Sequence, residues 1–476
     1  MSHTNNLHLN LVRVRGLWLQ SLRVAGLGAL FIAGISVILA SNWAGKVETQ
    51  GLQLLAGAGL LKVFCYLTAG ALASLLLMRY PEIALGLFFL VGLVKGDPSL
   101  SSSPMDLTVL IGVVIQAAVC YRIFVKQHAL KLPAEYFFYI PLLAMMIVSL
   151  TYTPNIAGGL DKILRFVCLT GIGITAPFVL FDESIKINRF FATLILGGVA
   201  LAINSLTMLG GEERMVSPSG LNTELGAASA VALILIWGLL FPRMPLLKRI
   251  CLYPVLGLLG IALIGSGGRF ANVSAVVCIL VGAFLCRKLF WDIFIAGGLG
   301  LLVLPFIWIP QASVDYLQSL LHPSQAMGTR NDLMWLGLRI FAEHPILGVG
   351  AQGFRYLSPN PLTYNYPHNL ILELGSEMGI VAAVSFLAIA FCAFRENIRQ
   401  LRDPVLRRNP LTVTVLLLLI YVFLDGMVSG DINDLRFMWF VFALPFVLRD
   451  LDSSSPALAL ERFVRWPSLA KGTPAV

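Results

Sequence analysis

Long apolar segments recur along the whole chain, separated by short polar connections. Most have the length of a helix that crosses a bilayer, for which about 20 residues suffice. Of the 476 residues, 58% are hydrophobic and only 12% are charged, and the mean hydropathy is +0.83. Because the apolar runs are many, the sequence excludes a soluble enzyme with a single anchor and a disordered or fibrous chain. We therefore predict one multi-span membrane domain over residues 1–476.

Fourteen apolar runs are candidates for membrane-spanning helices. The longer ones cover residues 24–41, 52–78, 105–125, 136–151, 163–181, 190–209, 221–241, 250–266, 293–310, 369–394 and 411–428. The shorter ones cover residues 83–94, 271–285 and 437–448. Because short runs can be half-helices, we predict an all-α polytopic integral membrane protein with 12–14 transmembrane helices.

The basic residues divide unequally between the two sides of this arrangement. Alternating spans collect most lysines and arginines, and both termini, on one side, which the positive-inside rule identifies as the cytoplasm. The long connection 311–367 lies on the opposite side, and its segment Asn331–Ala342 has the length and apolar content of an interfacial helix. The tail 453–476 is predicted to be loosely ordered and cytoplasmic. Lys62 is a charged residue inside the predicted span 52–78, and no role is predicted for it.

Charge and cysteine content exclude several kinds of site. The formal charge is +9, but the basic residues lie in short loops rather than on one surface, so no nucleic-acid partner is predicted. The 7 cysteines fall in apolar runs and are typical of small buried side chains. His322, His344 and His368 share the outer side with several carboxylates, yet their spacing matches no metal-ligand pattern. We predict neither a metal nor a cofactor.

Two arginines on the outer side are not explained by apolarity. Arg269 ends the glycine-rich turn Gly265–Arg269, and Arg330 begins the interfacial segment. Glycines let backbone N–H groups approach an oxyanion, the following helix directs its N-terminus at it, and a guanidinium binds it in a bidentate manner. The alternatives are an arginine that reaches to lipid headgroups and a solvated surface charge.

A basic pair and a histidine are further candidates. Lys162 and Arg165 lie three residues apart at the outer start of a predicted helix, with Asp161 placed to cap it. They are either anion ligands or anchors at the membrane interface. His368 follows Pro367 at the start of another predicted helix, where nearby arginines would keep the imidazole neutral and able to accept a proton. The alternative is a capping or lipid-facing histidine.

Two stretches of the carboxy-terminal half resemble a known family. His368–Ile380 (HNLILELGSEMGI) fits the pattern H-N-x-x-L-x-x-x-x-E-x-G and resembles the signature of the O-antigen ligase and polymerase superfamily. Arg330–Phe354 is similar to the loop of the same family, which has R-x-x-x-W followed by H-P-hydrophobic-x-G-hydrophobic-G, although Trp335 is displaced here by one position. Gly265–Arg269 and Ser219–Asn222 resemble two further elements in part. The similarity covers residues 219–380.

The resemblance implies a bacterial inner-membrane glycosyltransferase with a GT-C-like fold. Such enzymes transfer a glycan from undecaprenyl diphosphate to an acceptor hydroxyl on the periplasmic side, without nucleotide sugar or metal. A ligase uses lipid A-core as the acceptor, and a polymerase uses another lipid-linked glycan. With the patterns above, the resemblance predicts His368 as the catalytic base, Arg269, Arg330, Arg165 and Lys162 as ligands of the donor diphosphate, and Asn369 and Glu377 as supporting residues.

Three functions remain open from the sequence. The motif His368–Ile380 and the moderate length of the outer loop favour the O-antigen ligase, and attack opposite the departing diphosphate would invert the configuration. The polymerase differs from the ligase only in the acceptor. The third is a transporter of lipid-linked glycans or anions. A transporter usually places its charged residues at the bilayer midplane on broken helices of repeated halves. This sequence shows no repeat, and its polar residues gather on one side, which favours catalysis at the membrane boundary.

Overall fold

A computed structural model describes a large part of the chain. It covers residues 74–94, 106–208, 213–218, 220–286, 328–358, 365–428 and 430–454, with residues 291, 292, 295, 298, 311, 314 and 315. No β-strand occurs within these ranges, so the predicted all-α class is confirmed. Several predicted features lie outside the described residues: the span 24–41, nearly all of the spans 52–78 and 293–310, Lys62, Ser219, His322 and most of the tail 453–476.

The described chain is a bundle of helices. The amino-terminal half contains α1 (Pro81–Leu90), α2 (Leu107–Cys120), α3 (Tyr139–Ser149), α4 (Ile156–Arg165), α5 (Gly171–Leu180), α6 (Ser184–Ser205) and α7 (Asn222–Leu235). The remainder contains α8 (Leu246–Ile250), α9 (Tyr253–Gly265), α10 (Arg269–Leu285), α11 (Gly328–Glu343), α12 (Gly353–Leu357), α13 (Leu370–Arg402), α14 (Pro410–Gly426) and α15 (Arg436–Ser454). A π-helical turn joins α4 to α5.

Within the described residues, 6 helical segments are long and apolar enough to cross a membrane. They are Leu107–Val125, Ile156–Leu180, Ser184–Met208, Asn222–Arg243, Lys248–Gly265 and Leu370–Arg402. Shorter apolar helices at Pro81–Leu93, Ala134–Ser149, Arg269–Leu285 and Pro410–Gly426 coincide with other predicted runs. The chain is thus a multi-pass membrane protein. The number of 12–14 spans stays a prediction.

Helix α4 begins earlier than predicted. The apolar run begins at residue 163, whereas the helix begins at Ile156, where the Asn155 side chain accepts a hydrogen bond from Gly158 N at 3.1 Å. The prediction that Asp161 caps this helix is therefore wrong. Asp161 lies inside the helix and pairs with Arg165 at 2.9 Å. The first turns of α4 contain glycines and charged residues, so the hydropathy pattern does not mark them as part of the apolar run.

Helix α13 is interrupted at Gly379, whose backbone is not helical (φ 78°, ψ −174°). Hydrogen bonds to the connection between α11 and α12 replace those that the helix loses. They run from Val349 N to Ser376 O, from Gly350 N to Glu377 O and from Ile380 N to Pro345 O, each 2.8 Å long. In a bilayer, backbone groups freed by a broken helix need partners inside the protein. We call the part before the break, Leu370–Met378, the half-helix.

Neighbouring elements converge on the start of the half-helix. The predicted interfacial helix 331–342 is present as α11, although its position in the membrane is still a prediction. A Cβ atom added to Gly337 of α11 would lie only 3.0 Å from Pro367 Cβ, so α11 packs against the segment before α13. From the other side, Asn369 Nδ2 donates a hydrogen bond to Met427 O, just after α14, at 3.1 Å. These contacts place the middle of α11, the start of α13 and the end of α14 together.

Candidate active site

A cavity of about 830 Å³ lies beside the junction of these helices. Its wall is formed by α1, α6, α7, α10, α11, α14 and α15 and by the residues that precede α13. Three of the residues predicted from the sequence, Arg269, Arg330 and His368, line it. The sequence placed them on the same side of the membrane, and the structure brings them into one cavity.

The first turns of several helices face the cavity. Residues Asn222–Glu224 of α7, Arg269–Ala271 of α10 and Phe437–Met438 of α15 line it. Arg330 and Asn331, in the first turn of α11, also line it. The N-terminus of a helix carries a partial positive charge and unpaired N–H groups. Together with the arginines, these turns make the cavity suited to an anionic group.

The glycine-rich turn before Arg269 has the predicted form. Helix α9 ends at Gly265 and α10 begins at Arg269, with Gly268 at the N-cap position. Asn222 Nδ2, at the start of α7, donates a hydrogen bond to Ser266 O at 3.0 Å. The two elements that resembled the family only in part therefore meet at the cavity wall.

His368 lies just outside the half-helix. The helix begins at Leu370 and not at Pro367 as predicted, because the Asn369 side chain caps it by accepting a hydrogen bond from Leu372 N at 3.0 Å. His368 itself has a left-handed backbone conformation (φ 57°), which is uncommon for residues other than glycine and is often found at functional sites. Asn369 thus supports His368 by fixing the start of the helix.

Burial and charge keep the His368 imidazole neutral. Burial, and secondly the positive charge of Arg330, lower the pKa of His368 to about 4. The Tyr366 ring packs edge-on against the imidazole, with 4.7 Å between the ring centroids. Burial also raises the pKa of Tyr366, so its hydroxyl stays protonated. A neutral imidazole that faces the cavity is able to accept a proton.

A third arginine, which was not predicted from the sequence, lies in the cavity wall. Arg436 begins α15, its Nε atom is buried without a hydrogen-bond partner, and its guanidinium lies 5.8 Å from the centroid of the Phe88 ring. The sequence does contain a feature that indicates this arginine. The polar stretch Gly430–Arg436 separates two apolar runs on the predicted outer side, as do the turns that hold Arg269 and Arg330.

Three carboxylates in the wall were also missed. Glu224, Asp425 and Asp434 line the cavity, and Ser217 Oγ donates a hydrogen bond to Glu224 Oε2 at 3.2 Å. Carboxylates accept hydrogen bonds from hydroxyl groups. In the described ranges, no three His, Cys, Asp or Glu side chains converge as metal ligands do. As hydrogen-bond acceptors, the three carboxylates in the wall suit a hydroxyl-rich ligand.

A further part of the wall is apolar. Phe88, Phe89, Leu90 and Leu93 from the α1 region line the cavity with Leu194 of α6. An apolar wall beside a cluster of cations fits an amphiphile, with its charged group at the arginines and its apolar part against the α1 region.

Two other predicted ligands lie away from the cavity wall. Lys162 Nζ is 2.6 Å from Glu373 Oε1 and 2.5 Å from Glu377 Oε2. Arg165 pairs with Asp161 of its own helix. Because α4 begins earlier than predicted, Lys162 lies about two turns after the helix start. Its side chain is buried in the interior of the protein. The structure therefore brings Lys162 together with Glu377, which the sequence analysis placed among the supporting residues, and not with Arg269 and Arg330.

A family comparison covers the main part of the site. Residues 254–387 match the family model described as O-antigen ligase. The matched segment contains Arg269, Arg330 and His368, and the match confirms the resemblance to the O-antigen ligase and polymerase superfamily, which is a superfamily of enzymes. A search of curated proteins found no match.

Proposed function

From the O-antigen ligase match, we propose that the protein is a lipopolysaccharide O-antigen ligase. It moves an O-antigen glycan from undecaprenyl diphosphate to a hydroxyl group of lipid A-core, and it requires neither metal nor nucleotide sugar. The proposed location is the bacterial inner membrane, with both termini in the cytoplasm and the cavity on the periplasmic side. The distribution of basic residues supports this orientation. The proposed arrangement of spans is GT-C-like.

One observation carries the proposal: three arginines and several helix N-termini face a cavity that also has an apolar wall. A polyprenyl diphosphate combines a compact anion with a long apolar chain. In the proposed complex, Arg269, Arg330 and Arg436 bind the diphosphate, and Phe88 and Phe89 contact the start of the polyprenyl chain. Guanidinium groups suit this task because they bind phosphate oxygens in a bidentate manner.

The proposed reaction is a direct displacement at the anomeric carbon. An acceptor hydroxyl attacks that carbon as the bond to the diphosphate breaks, and the bonding electron pair leaves with undecaprenyl diphosphate. The arginines stabilise the negative charge that develops on the departing oxygen. Because a neutral hydroxyl group is a poor nucleophile, His368 takes its proton as it attacks. Attack opposite the leaving group inverts the anomeric configuration.

The test is transfer by the purified protein. In the presence of EDTA, it is incubated with undecaprenyl diphosphate-linked glycan and either lipid A-core or no added acceptor, and the products are resolved by gel and mass spectrometry. Glycosylated lipid A-core with an inverted linkage by NMR is expected. Lengthened lipid-linked glycan would instead indicate the polymerase of the same superfamily. Intact donor in both reactions would contradict glycosyl transfer and favour a transporter, and a retained configuration would contradict direct displacement.

The pH dependence provides a prediction for His368. Only the neutral imidazole accepts a proton, so activity falls as the pH drops through the pKa of about 4, and kcat/KM for the donor should stay near its neutral-pH value down to about pH 5. With the ordinary pKa of about 6.5, three quarters of the histidine would already be protonated at about pH 6. Arg330→Gln removes a nearby positive charge and should move the acid limb to higher pH. A wild-type acid limb centred near the ordinary value would contradict the lowered pKa of His368.

A second prediction concerns the three arginines. Replacing Arg269, Arg330 or Arg436 by alanine should lower kcat/KM for the donor about 10- to 100-fold, because a charge-assisted hydrogen bond contributes about 1.5–3 kcal/mol. Lysine should restore only part of the loss, since it keeps the charge but not the bidentate geometry. Arg339→Ala is the matched control, because Arg339 lies on the exposed face of α11 and outside the cavity wall. Normal donor affinity and rate in all three alanine variants would contradict the proposed diphosphate site.

A further inference from the structure

A buried cluster of charged side chains lies outside the cavity wall. We call Lys162, Glu373 and Glu377 the charged cluster. The Lys162 ammonium is 2.6 Å from one carboxylate and 2.5 Å from the other. Lys162 is 2% exposed, and the two glutamates are fully buried. None of the three lines the cavity. The charged cluster therefore acts on a substrate in the cavity only through other residues.

The charged cluster joins three segments of the chain. The ammonium belongs to α4, and the two carboxylates lie one turn apart on the half-helix. The third segment, residues 430–435, connects α14 to α15. Asn433 Nδ2 donates a hydrogen bond to Lys162 O at 3.0 Å, and Ile432 N donates one to Glu373 Oε1 at 3.4 Å. These contacts fix α4, the half-helix and the connection relative to one another.

Two of these segments carry residues of the candidate site. The half-helix follows directly after His368 and Asn369, and Glu373 N donates a hydrogen bond to Asn369 O at 2.9 Å. The connection 430–435 leads into Arg436, the first residue of α15. A displacement within the charged cluster would therefore change the separation between the imidazole and the third arginine.

We propose that Lys162 is a positioning residue whose two ion pairs hold His368 and Arg436 at a fixed separation. The proposal rests on the proposed function above. A buried ion pair is a poor source of stability, because apolar side chains of similar volume are often as stable or more stable in its place. The hydrogen bonds within these short ion pairs are directional, however. Together with the bonds of Asn433 and Ile432, they fix three segments that apolar packing alone would allow to slide. A misplacement of about 1 Å at a reacting group can cost about 100-fold in rate.

The test separates stability from positioning. In the full-length protein in lipid nanodiscs, the triple variant Lys162→Met/Glu373→Gln/Glu377→Gln removes every charge of the cluster at similar volume. We expect a melting temperature within a few degrees of the wild type, since the ammonium and both carboxylates are removed together and Asp431, which also interacts with Lys162, is only half-buried. We also expect kcat to fall at least about 10-fold, and the acid limb of kcat/KM to rise by about one pH unit as His368 leaves its buried position. A stable variant with wild-type kcat and pH profile would overturn the proposal.

A second variant keeps the test decisive if the triple variant does not fold. Lys162→Arg retains the charge and both ion pairs, so its kcat should exceed that of Lys162→Met at least about 10-fold, with the wild-type acid limb. Equal losses in the two variants would overturn the proposal. The control is Arg249→Met/Asp292→Asn, which removes a different ion pair. Arg249 and Asp292 are 2.7 Å apart, Asp292 is buried, and neither residue lines the cavity. This control should leave kcat and the acid limb unchanged. A wild-type protein that transfers no glycan would contradict the proposed function itself.

Discussion

Replacing His368 by alanine should lower glycan transfer about 100- to 10,000-fold while leaving the protein folded and inserted in the membrane. This is the usual contribution of a general base. The acceptor hydroxyl keeps its proton when it attacks in this variant, so the chemical step slows. Binding of undecaprenyl diphosphate should change less than about threefold, because Arg269, Arg330 and Arg436 are intact. Single-turnover transfer and equilibrium binding of undecaprenyl diphosphate, each in nanodiscs, measure the two effects separately.

The left-handed backbone at His368 calls for a second variant. Asparagine adopts this conformation more readily than alanine, so His368→Asn keeps the local backbone without strain. Equal inactivity of the alanine and asparagine variants would locate the defect in the imidazole rather than in the backbone. His344→Ala is the matched control, because His344 is exposed in the same region and lies outside the cavity wall. Wild-type transfer by a well-expressed His368→Ala protein would remove the base assignment.

Apolarity alone predicted the class of the fold and the approximate position of most described helices. A helix in a bilayer must present about 20 apolar residues to lipid, so the composition of each segment reports its environment directly. The start of α4 was missed because Gly158, Gly159 and Asp161 interrupt the apolar character of its first turns. This error in one helix boundary also affected the interpretation of Lys162. At the predicted helix start, on the membrane surface, the Lys162 side chain would have been accessible to a ligand.

The candidate site was only partly predictable. Arg269, Arg330 and His368 could be found because each lies beside an apolar run on the predicted outer side and belongs to a stretch that resembles the family. Arg436 was missed although its setting is the same, because no motif marked the connection before α15. The carboxylates Glu224 and Asp425 lie within or beside apolar runs, and only the packing of α7 and α14 shows that they face a cavity.

The break in α13 was not predicted either. Hydropathy treats residues 369–394 as one continuous run, since Gly379 is neither charged nor proline. The partners that satisfy the broken helix, Pro345, Val349 and Gly350, lie some thirty residues earlier in the chain. Pairing over such a distance depends on tertiary packing, which a local pattern does not contain. The glycine of the H-N-x-x-L-x-x-x-x-E-x-G pattern thus has a structural role that the pattern alone does not explain.

Replacing Gly379 by alanine should therefore be the most disruptive small substitution in this region. A Cβ atom at this position would lie 1.9 Å from Ile346 O and 2.4 Å from Ile346 C, which are backbone atoms of the segment that fills the break. The backbone angles, φ 78° and ψ −174°, are also in a region that essentially only glycine occupies. We expect a loss of about 3–6 kcal/mol in the free energy of unfolding, from strain and overpacking together, with little folded protein and no transfer.

Thermal unfolding of the purified variant in detergent measures this loss, and a matched glycine controls for it. A Cβ atom at Gly260, in the middle of α9, meets no atom within 4 Å, so Gly260→Ala should melt at or slightly above the wild-type temperature. Gly348→Ala should share the defect of Gly379→Ala, because its Cβ would lie 2.4 Å from Glu377 C on the opposite side of the same contact. If Gly379→Ala melts and transfers glycan like the wild type, the half-helix is not held by the segment that contains Ile346. His368 would then need a different support.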